Sequence, residues 1–421
     1  MKIPNLLTIF FSRPLLAFLI SLIAVNTAHG SEPFIEKADL FTAGEGGYKL
    51  YHIPGIVVTA KDAVLAWCEA RQTSGDWDQI EILLRRSTDE GKTWSEPRKI
   101  ADVPGPKTKN PFSLAVKGVN PADVTYNNPV LIADRDGAMH MLFCLEYMRC
   151  FYQRSDDDGV NWSTPVEITN AFEKFRSAYD WKVLATGPDH GIQLKSGRLI
   201  VPVWLSTGTG GNAHRPSVTA TIYSDDQGQT WNAGDIAVPC TEEWINPNET
   251  VAIELADGRV MLNARSESKA HRRLVTMSAN GATGWSTPKF DDALLEPICM
   301  GSIVRYSLAK DGGKNRILFS NPDNLSRADG KEEPGKVRDR KNLTVKLSYD
   351  EAQTWPIIKA VDPGYSSYSD LAVTKSGMIL CLYSRGERGI DFGGYTFKAL
   401  ALARFNLEWL TDGRDSLPSA P

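Results

Sequence analysis

The sequence predicts an all-β fold, a six-bladed β-propeller, on three observations. The first is a repeated octet with the pattern S-x-D-x-G-x-T-W. It appears at Ser87–Trp94, Ser155–Trp162, Ser224–Trp231 and Ser348–Trp355, with a degenerate copy at Ser278–Trp285 that keeps Ser, Gly and Trp but loses the Asp. The second is spacing: the copies start roughly 55 to 70 residues apart, and self-similarity at a near-fixed period marks a repeat architecture. The third is the material between copies. It consists of short apolar and β-branched runs separated by turn dipeptides, with no long helical period.

Each element of the repeat has a physical reading. The Asp bonds backbone amides within its own turn, the Gly accepts positive φ, and the Trp packs back over the hairpin. Runs such as Ile80-Glu-Ile-Leu-Leu and Val218-Thr-Ala-Thr-Ile-Tyr lead into copies of the octet and read as strands. Ala63–Cys68, Leu199–Trp204, Val260–Asn263 and Ile379–Tyr383 fill the gaps, and Asp136-Gly, Ser196-Gly, Asp257-Gly and Ser376-Gly punctuate them. About 390 residues at about 65 per repeat gives six blades. The octets are fold markers and receive no catalytic role.

Residues 1–30 read differently. Lys2 and Arg13 precede an apolar run, Pro14 to Val25, and Ala28-His29-Gly30 supplies small residues for cleavage. This is the pattern of a secretory signal peptide, and the run is short for a membrane span. The expected organisation is a signal peptide over 1–30, a propeller over 31–411 and a loose tail over 412–421. No stable membrane span is expected after signal removal. The net charge is −4 with both signs interspersed, which excludes a nucleic-acid or polyanion partner. Six cysteines lie mostly inside apolar runs, where a free thiol behaves as a small hydrophobe, so mostly free thiols are expected. Without a C-x-x-C or H-E-x-x-H motif, no metal site is expected.

The octets together with Tyr51-His-Ile-Pro54 resemble the sialidase superfamily, the exo-α-sialidases with bacterial neuraminidase repeats. Further stretches carry the resemblance in order: Gly187–Leu194, Asn248-Glu249, Leu262–Arg265, Phe319–Pro322, Arg340-Lys-Asn342 and Tyr368–Leu371. It covers nearly the whole chain beyond residue 30. It implies a propeller of the sialidase type and a retaining glycosidase for a terminal acidic sugar, without a cofactor.

The resemblance also implies roles. Asp76 matches the general acid/base, with Asp78 as the neighbouring alternative. Glu249 matches the catalytic Glu, and Tyr368 the nucleophile, with Tyr365 as the alternative. Arg265 and Arg340 match two of three carboxylate-clamping arginines, with Arg338 as an alternative to Arg340. His52 holds the place of the first arginine. Arg71 and His190 are further pocket candidates. A phenol suits this chemistry because the substrate's own carboxylate repels an Asp or Glu nucleophile at the anomeric carbon. A phenol in turn needs a base beside it.

His52 is the departure from the pattern. Arginine offers a permanently charged bidentate fork, whereas histidine is mostly neutral at pH 7. The clamp is therefore expected to be weaker or differently shaped. Three functions follow as alternatives: a sialidase with an altered pocket, a glycosidase for a different acidic sugar, and a propeller that binds glycans without turnover. The partners expected are sialylated or other acidic-sugar glycans. The sequon Asn248-Glu249-Thr250 would put a glycan on the proposed catalytic Glu, which argues for export by a bacterium, to the periplasm or outside the cell.

Overall fold

The computed structural model describes Met1 and residues 31–417, apart from 116, 117, 211, 312, 332, 334 and 390–394. The expected signal peptide, Met1 excepted, lies outside the described residues. Among the described residues no helix is long and apolar enough to cross a membrane.

The strands form five sheets. Four of them are blades of four or five strands. One runs Leu50–Val58, Val64–Arg71, Ile80–Ser87 and Arg98–Lys99. The next is built on Tyr126–Ala133, Met139–Leu145 and Arg149–Ser155, the third on Leu199–Ser206, Ser217–Ser224 and Asn232–Val238, and the fourth runs Thr250–Glu254 to Lys289–Leu295. The remaining sheet has seven strands, from Ser302–Ser307 to Tyr395–Phe405, and the early strand Ile35–Thr42 forms its edge. The antiparallel register of that edge, Ile35 opposite Phe405 and Thr42 opposite Ala399, joins the first described strand to the last.

The expected six separate blades are thus met by four blades and one continuous sheet. The reason is the 17-residue strand Ile357–Val373. Its first part pairs with Lys341–Ser348, up to Tyr365 opposite Lys341, and from Ser366 onward it pairs with Ile379–Arg388. A single strand crosses what would otherwise be a gap between sheets.

Burial follows position in each blade. The innermost strands Tyr126–Ala133 and Thr250–Glu254 are buried almost throughout, while the outer strand Lys289–Leu295 is largely exposed. Inner strands are covered on both faces, so polar residues in them such as Asn127 and Asn128 are buried along with the apolar ones. All six cysteines are free, and all but Cys240 are buried.

The octets close the outer turns as expected. Asp89 accepts from the backbone N–H of Thr93 at 2.9 Å and from its hydroxyl at 2.7 Å, and Asp226 and Asp350 repeat the pattern with Thr230 and Thr354. In the degenerate copy Asn280 substitutes for the acid, accepting from Ala282 and Thr283. The glycine has a second reason beyond its turn. At Gly228 (φ 85°) an added Cβ would lie 2.3 Å from the Tyr152 hydroxyl, in the preceding blade, so the turn lies directly against its neighbour. The stretch after Thr411 is also anchored, at Asp415. Asp415 is buried and accepts two bonds of 2.7 Å from Arg316, which corrects the expectation of a loose tail over that stretch.

Candidate active site

The site is built where inner strands begin or end on one side of the ring. His52 lies on Leu50–Val58 just before a bulge between His52 and Gly55. Any Cβ at Gly55 would fall 2.0 Å from the Trp67 ring, so the bulge depends on glycine there. Arg71 ends the next strand, and Asp76 sits in the loop that follows. Glu249 immediately precedes Thr250–Glu254, and Arg265 immediately follows Val260–Ala264. Their sixteen-residue separation is one hairpin. The ladder continues past the strand ends, with Arg265 N–H donating to Glu249 C=O at 2.9 Å and Asn248 N–H to Arg265 C=O at 3.1 Å. Arg340 precedes Lys341–Ser348, and Tyr368 lies in the middle of Ile357–Val373.

These residues converge on one pocket of about 210 Å³. His52, Arg71, Asp76, Glu249, Arg265, Arg340 and Tyr368 all line it. The Tyr368 hydroxyl donates to Glu249 Oε1 at 2.5 Å and accepts from Arg265 Nη1 at 2.6 Å. Arg265 Nη1 also donates to Glu249 Oε2. Arg340 stacks over the Tyr368 ring with its guanidinium carbon 5.4 Å from the centroid. Its Nη1 and Nη2 donate to Ser367 Oγ at 3.1 Å and Ile298 C=O at 2.6 Å. Burial pushes the Tyr368 phenol well above its ordinary range, with Arg265 and Arg340 opposing and Glu249 adding to the rise.

A second charged cluster lines the same pocket through Arg71 and Asp76. Arg71 donates through Nε (2.9 Å) and Nη2 (2.5 Å) to Glu69 Oε2, and through Nη1 (2.8 Å) to Asp76 Oδ1. Glu69, fully buried, also accepts from Asn128 N–H at 2.7 Å. Burial alone would raise the Asp76 carboxyl, but the Arg71 guanidinium outweighs it and holds the group below the usual carboxylate range.

His52 is 2 % exposed. Its ring lies edge-on to Tyr368 (centroids 4.5 Å apart) and against Phe397 (4.6 Å), with Ser384 Oγ 3.5 Å from Nδ1. Burial, then the cations Arg71, Arg340 and Arg265, keep the imidazole well below its usual pKa. It is a neutral side chain in the pocket wall.

The pocket excludes one expected residue. His190 does not line it. Its Nδ1 bonds Asp370 Oδ1 at 2.8 Å, and the residue faces a separate cavity of about 380 Å³ lined by Ile56, Ala252, Ile303 and Leu371. The sequence makes it a pocket candidate, but its strand, Asp189–His190, pairs parallel to Tyr126–Ala133 and its side chain is engaged with Asp370. The alternatives also lie outside: Asp78 accepts from Thr73, Tyr365 pairs with Lys341, and Arg338 Nη1 donates to Glu333 C=O. The pocket includes residues that no motif marked. Tyr147 comes from the hairpin tip after Leu145, and Trp204 and His214 pack against it with centroids 6.0 and 4.9 Å away. Arg215, bonded to Glu267 at 2.8 Å, completes the rim. Tyr147 has φ 48° and follows Glu146 at φ 57°, a conformation that local composition does not announce. Among the described residues no group of three or more His, Cys, Asp or Glu is arranged to hold a metal.

Comparison with known proteins bears on the fold and the family. A family model described as a BNR repeat-like domain matches residues 109–381. The chain is 29 % identical over 412 residues to a sialidase of Micromonospora viridifaciens, covering 90 % of this chain and 55 % of that protein. It is 28 % identical over 334 residues to a sialidase of Bacteroides fragilis (strain YCH46), covering 74 % of this chain and 55 % of that one. The chain thus spans about half the length of these relatives. The solved structure of the Hadza microbial sialidase Hz136 superposes with a TM-score of 0.69 at 24 % identity, covering 89 % of this chain and 69 % of that one.

Fold and pocket together define an all-β, propeller-like protein of the sialidase type. The chain belongs to the BNR repeat-like domain family and, with it, to the sialidase superfamily.

Proposed function

We propose that the protein is a retaining exo-glycosidase that removes a terminal sialic acid, or a related acidic sugar, from glycans through Tyr368. The observation that carries this reading is the phenol held 2.5 Å from Glu249 and 2.6 Å from Arg265. A phenol raised by burial is a weak nucleophile, and Glu249 is placed to take its proton as the oxygen attacks the anomeric carbon. Arg265 and Arg340 hold the substrate carboxylate and stabilise the oxocarbenium-like transition state. Asp76 protonates the departing glycosidic oxygen. In the second step it removes a proton from the water that releases the sugar from Tyr368. On this reading the seven-stranded sheet counts as two blades joined by Ile357–Val373. The ring then has six blades within 31–411.

His52 favours a second reading, a glycosidase for a different acidic sugar. A neutral imidazole at the first clamp position leaves Arg265 and Arg340 as the guanidinium pair beside Tyr368. The experiment is a screen of fluorogenic α-sialosides alongside glycosides of other nonulosonic and uronic acids, with Tyr368→Phe as control. Turnover of one class is expected, falling by ~10³-fold or more in the variant. Unchanged turnover by Tyr368→Phe overturns the mechanism. Tight glycan binding without turnover by the wild type makes the protein a lectin-like relative.

A further inference from the structure

Two residues beyond Tyr368, the chain carries an acid that the chemistry above does not use. Asp370 is fully buried and lines neither the pocket nor its mouth. Its carboxylate accepts four hydrogen bonds. Oδ1 accepts from His190 Nδ1 at 2.8 Å, Ser302 Oγ at 2.7 Å and Leu371 N–H at 2.8 Å, and Oδ2 accepts from Ile56 N–H at 2.9 Å. These donors sit on four different strands: Asp189–His190, Ser302–Ser307, Ile357–Val373 and Leu50–Val58. The last of these also carries His52. One carboxylate therefore ties together four strands taken from separate parts of the ring, two residues along the strand from Tyr368.

The neighbouring strand residues are held less firmly. Ser369 meets Ser320 through their hydroxyls at 2.8 Å, and Ser367 is bonded by Arg340. Register with Ile379–Arg388 is irregular between Ser366 and Ser369, so the ladder alone does not fix where Tyr368 stands. Mislocation of a reacting group by about 1 Å costs on the order of 10²-fold in rate.

We propose that Asp370, braced by His190, is a positioning residue that fixes Tyr368 so that its hydroxyl stays between Glu249 and Arg265. The inference rests on the reading of Tyr368 as nucleophile. The pairing with His190 is charge-assisted. Burial works against the imidazolium, but Asp370 outweighs it and the His190 pKa is raised. Asp189 is the other acid beside the pair, and Arg273 is the cation facing Asp189.

The test uses the full mature chain with Asp370→Asn and, as a milder change, His190→Gln. Asparagine keeps the shape but turns one acceptor into a donor, facing either Ile56 N–H or the Ser302–His190 donors. Two quantities are measured: the rate of covalent trapping by a 2,3-difluoro acidic sugar, and the Kd for an unsaturated carboxylate-bearing glycal that needs no attack. Trapping and kcat are expected to fall at least ~30-fold in Asp370→Asn, and less in His190→Gln, while the glycal Kd changes less than ~3-fold. Trapping at the wild-type rate by either folded variant overturns the proposal. So does a proportional loss of trapping and glycal binding, which would mean that the whole pocket has collapsed. If Asp370→Asn does not fold, His190→Gln decides by the same two measurements. Peptide mapping of the trapped wild type keeps the two readings apart: a label on a residue other than Tyr368 overturns the nucleophile assignment itself.

Discussion

The His52 ring stands edge-on to the Tyr368 ring with centroids 4.5 Å apart. Phe397 and Ser384 fill its far side. An arginine here would add a third fork for a carboxylate but would also be buried against an aromatic ring and a hydroxyl. His52→Arg is therefore expected to tighten binding of an acidic-sugar glycal and to lower the melting temperature, because it buries a further cation close to Arg71, Arg340 and Arg265. Calorimetry with and without the glycal reads both effects. Because His52 stays neutral well below its ordinary range, its NMR signals are expected to show no titration between pH 6 and 8.

Most of the pocket wall was legible in the sequence because its members sit in short stretches with a recognisable neighbourhood, several of them at strand ends or turns. Glu249 and Arg265 announce one hairpin by their spacing, and Tyr368 is flanked by a strand pattern. The Asp-containing octets gave the repeat, since each is a local turn whose bonds involve residues within a few positions. What escaped was set by long-range packing. His190 lies in a motif like any pocket residue, yet the hydrogen bond that defines it reaches Asp370, 180 residues away. Tyr147, Trp204 and His214 meet only in three dimensions. The continuous seven-stranded sheet arises because Ile357–Val373 has no turn signal strong enough to break it.

The octet acids predict an acid limit to stability. Asp350 accepts from Thr354 N–H (2.8 Å) and Oγ1 (2.6 Å), Gln353 N–H (3.1 Å) and Ser348 Oγ (2.9 Å). Bonds from Thr93 and from Asn161, backbone first, hold Asp89 and Asp157 down to about 2. Groups whose folded pKa is depressed give stability that is present above the unfolded pKa of about 3.9 and lost as pH falls toward 2. The chain is expected to lose denaturant stability steadily over that interval. Asp350→Ala is expected to cost about 1–2 kcal/mol at pH 7, from lost turn bonds, with kcat unchanged. Urea melts at several pH values check both.

Asp189 predicts the opposite slope. It is fully buried, neither carboxyl oxygen has a hydrogen-bond partner among the described residues, and its backbone is left-handed at φ 75°. Burial, then Asp370 and Glu249, raise its pKa well above the ordinary value. An acid with a raised folded pKa favours folding fully only below its unfolded pKa, and that contribution is lost as pH climbs to the folded value. Asp189→Gly relieves both the strain and the buried acid. It is expected to add about 1–2 kcal/mol, with a larger gain at pH 8 than at pH 4.5. A loss of stability at pH 8 would show that the carboxyl has a supporting partner.

Arg71 joins two acids that differ in burial and in task, and this leads to a paired prediction. Glu69 is fully buried and pushed up by burial, while the partly exposed Asp76 is held down by the same guanidinium. With Asp76 ionised at rest, proton donation to a poor leaving group requires its uptake of a proton. For an alkyl glycoside, kcat/KM is therefore expected to rise as pH drops from 7 to 5. It should rise much less for a nitrophenyl glycoside, whose leaving group needs no proton. Arg71→Met removes the counter-charge from both acids. Asp76 then titrates at higher pH, and the alkyl-glycoside profile shifts toward neutrality. Glu69 is left buried and unpaired, at a cost of about 3–5 kcal/mol. Adding Glu69→Gln is expected to recover much of that stability while leaving the profile shifted, because only Asp76 faces the pocket. Recovery of stability together with the original pH profile would place the acid function on a group other than Asp76.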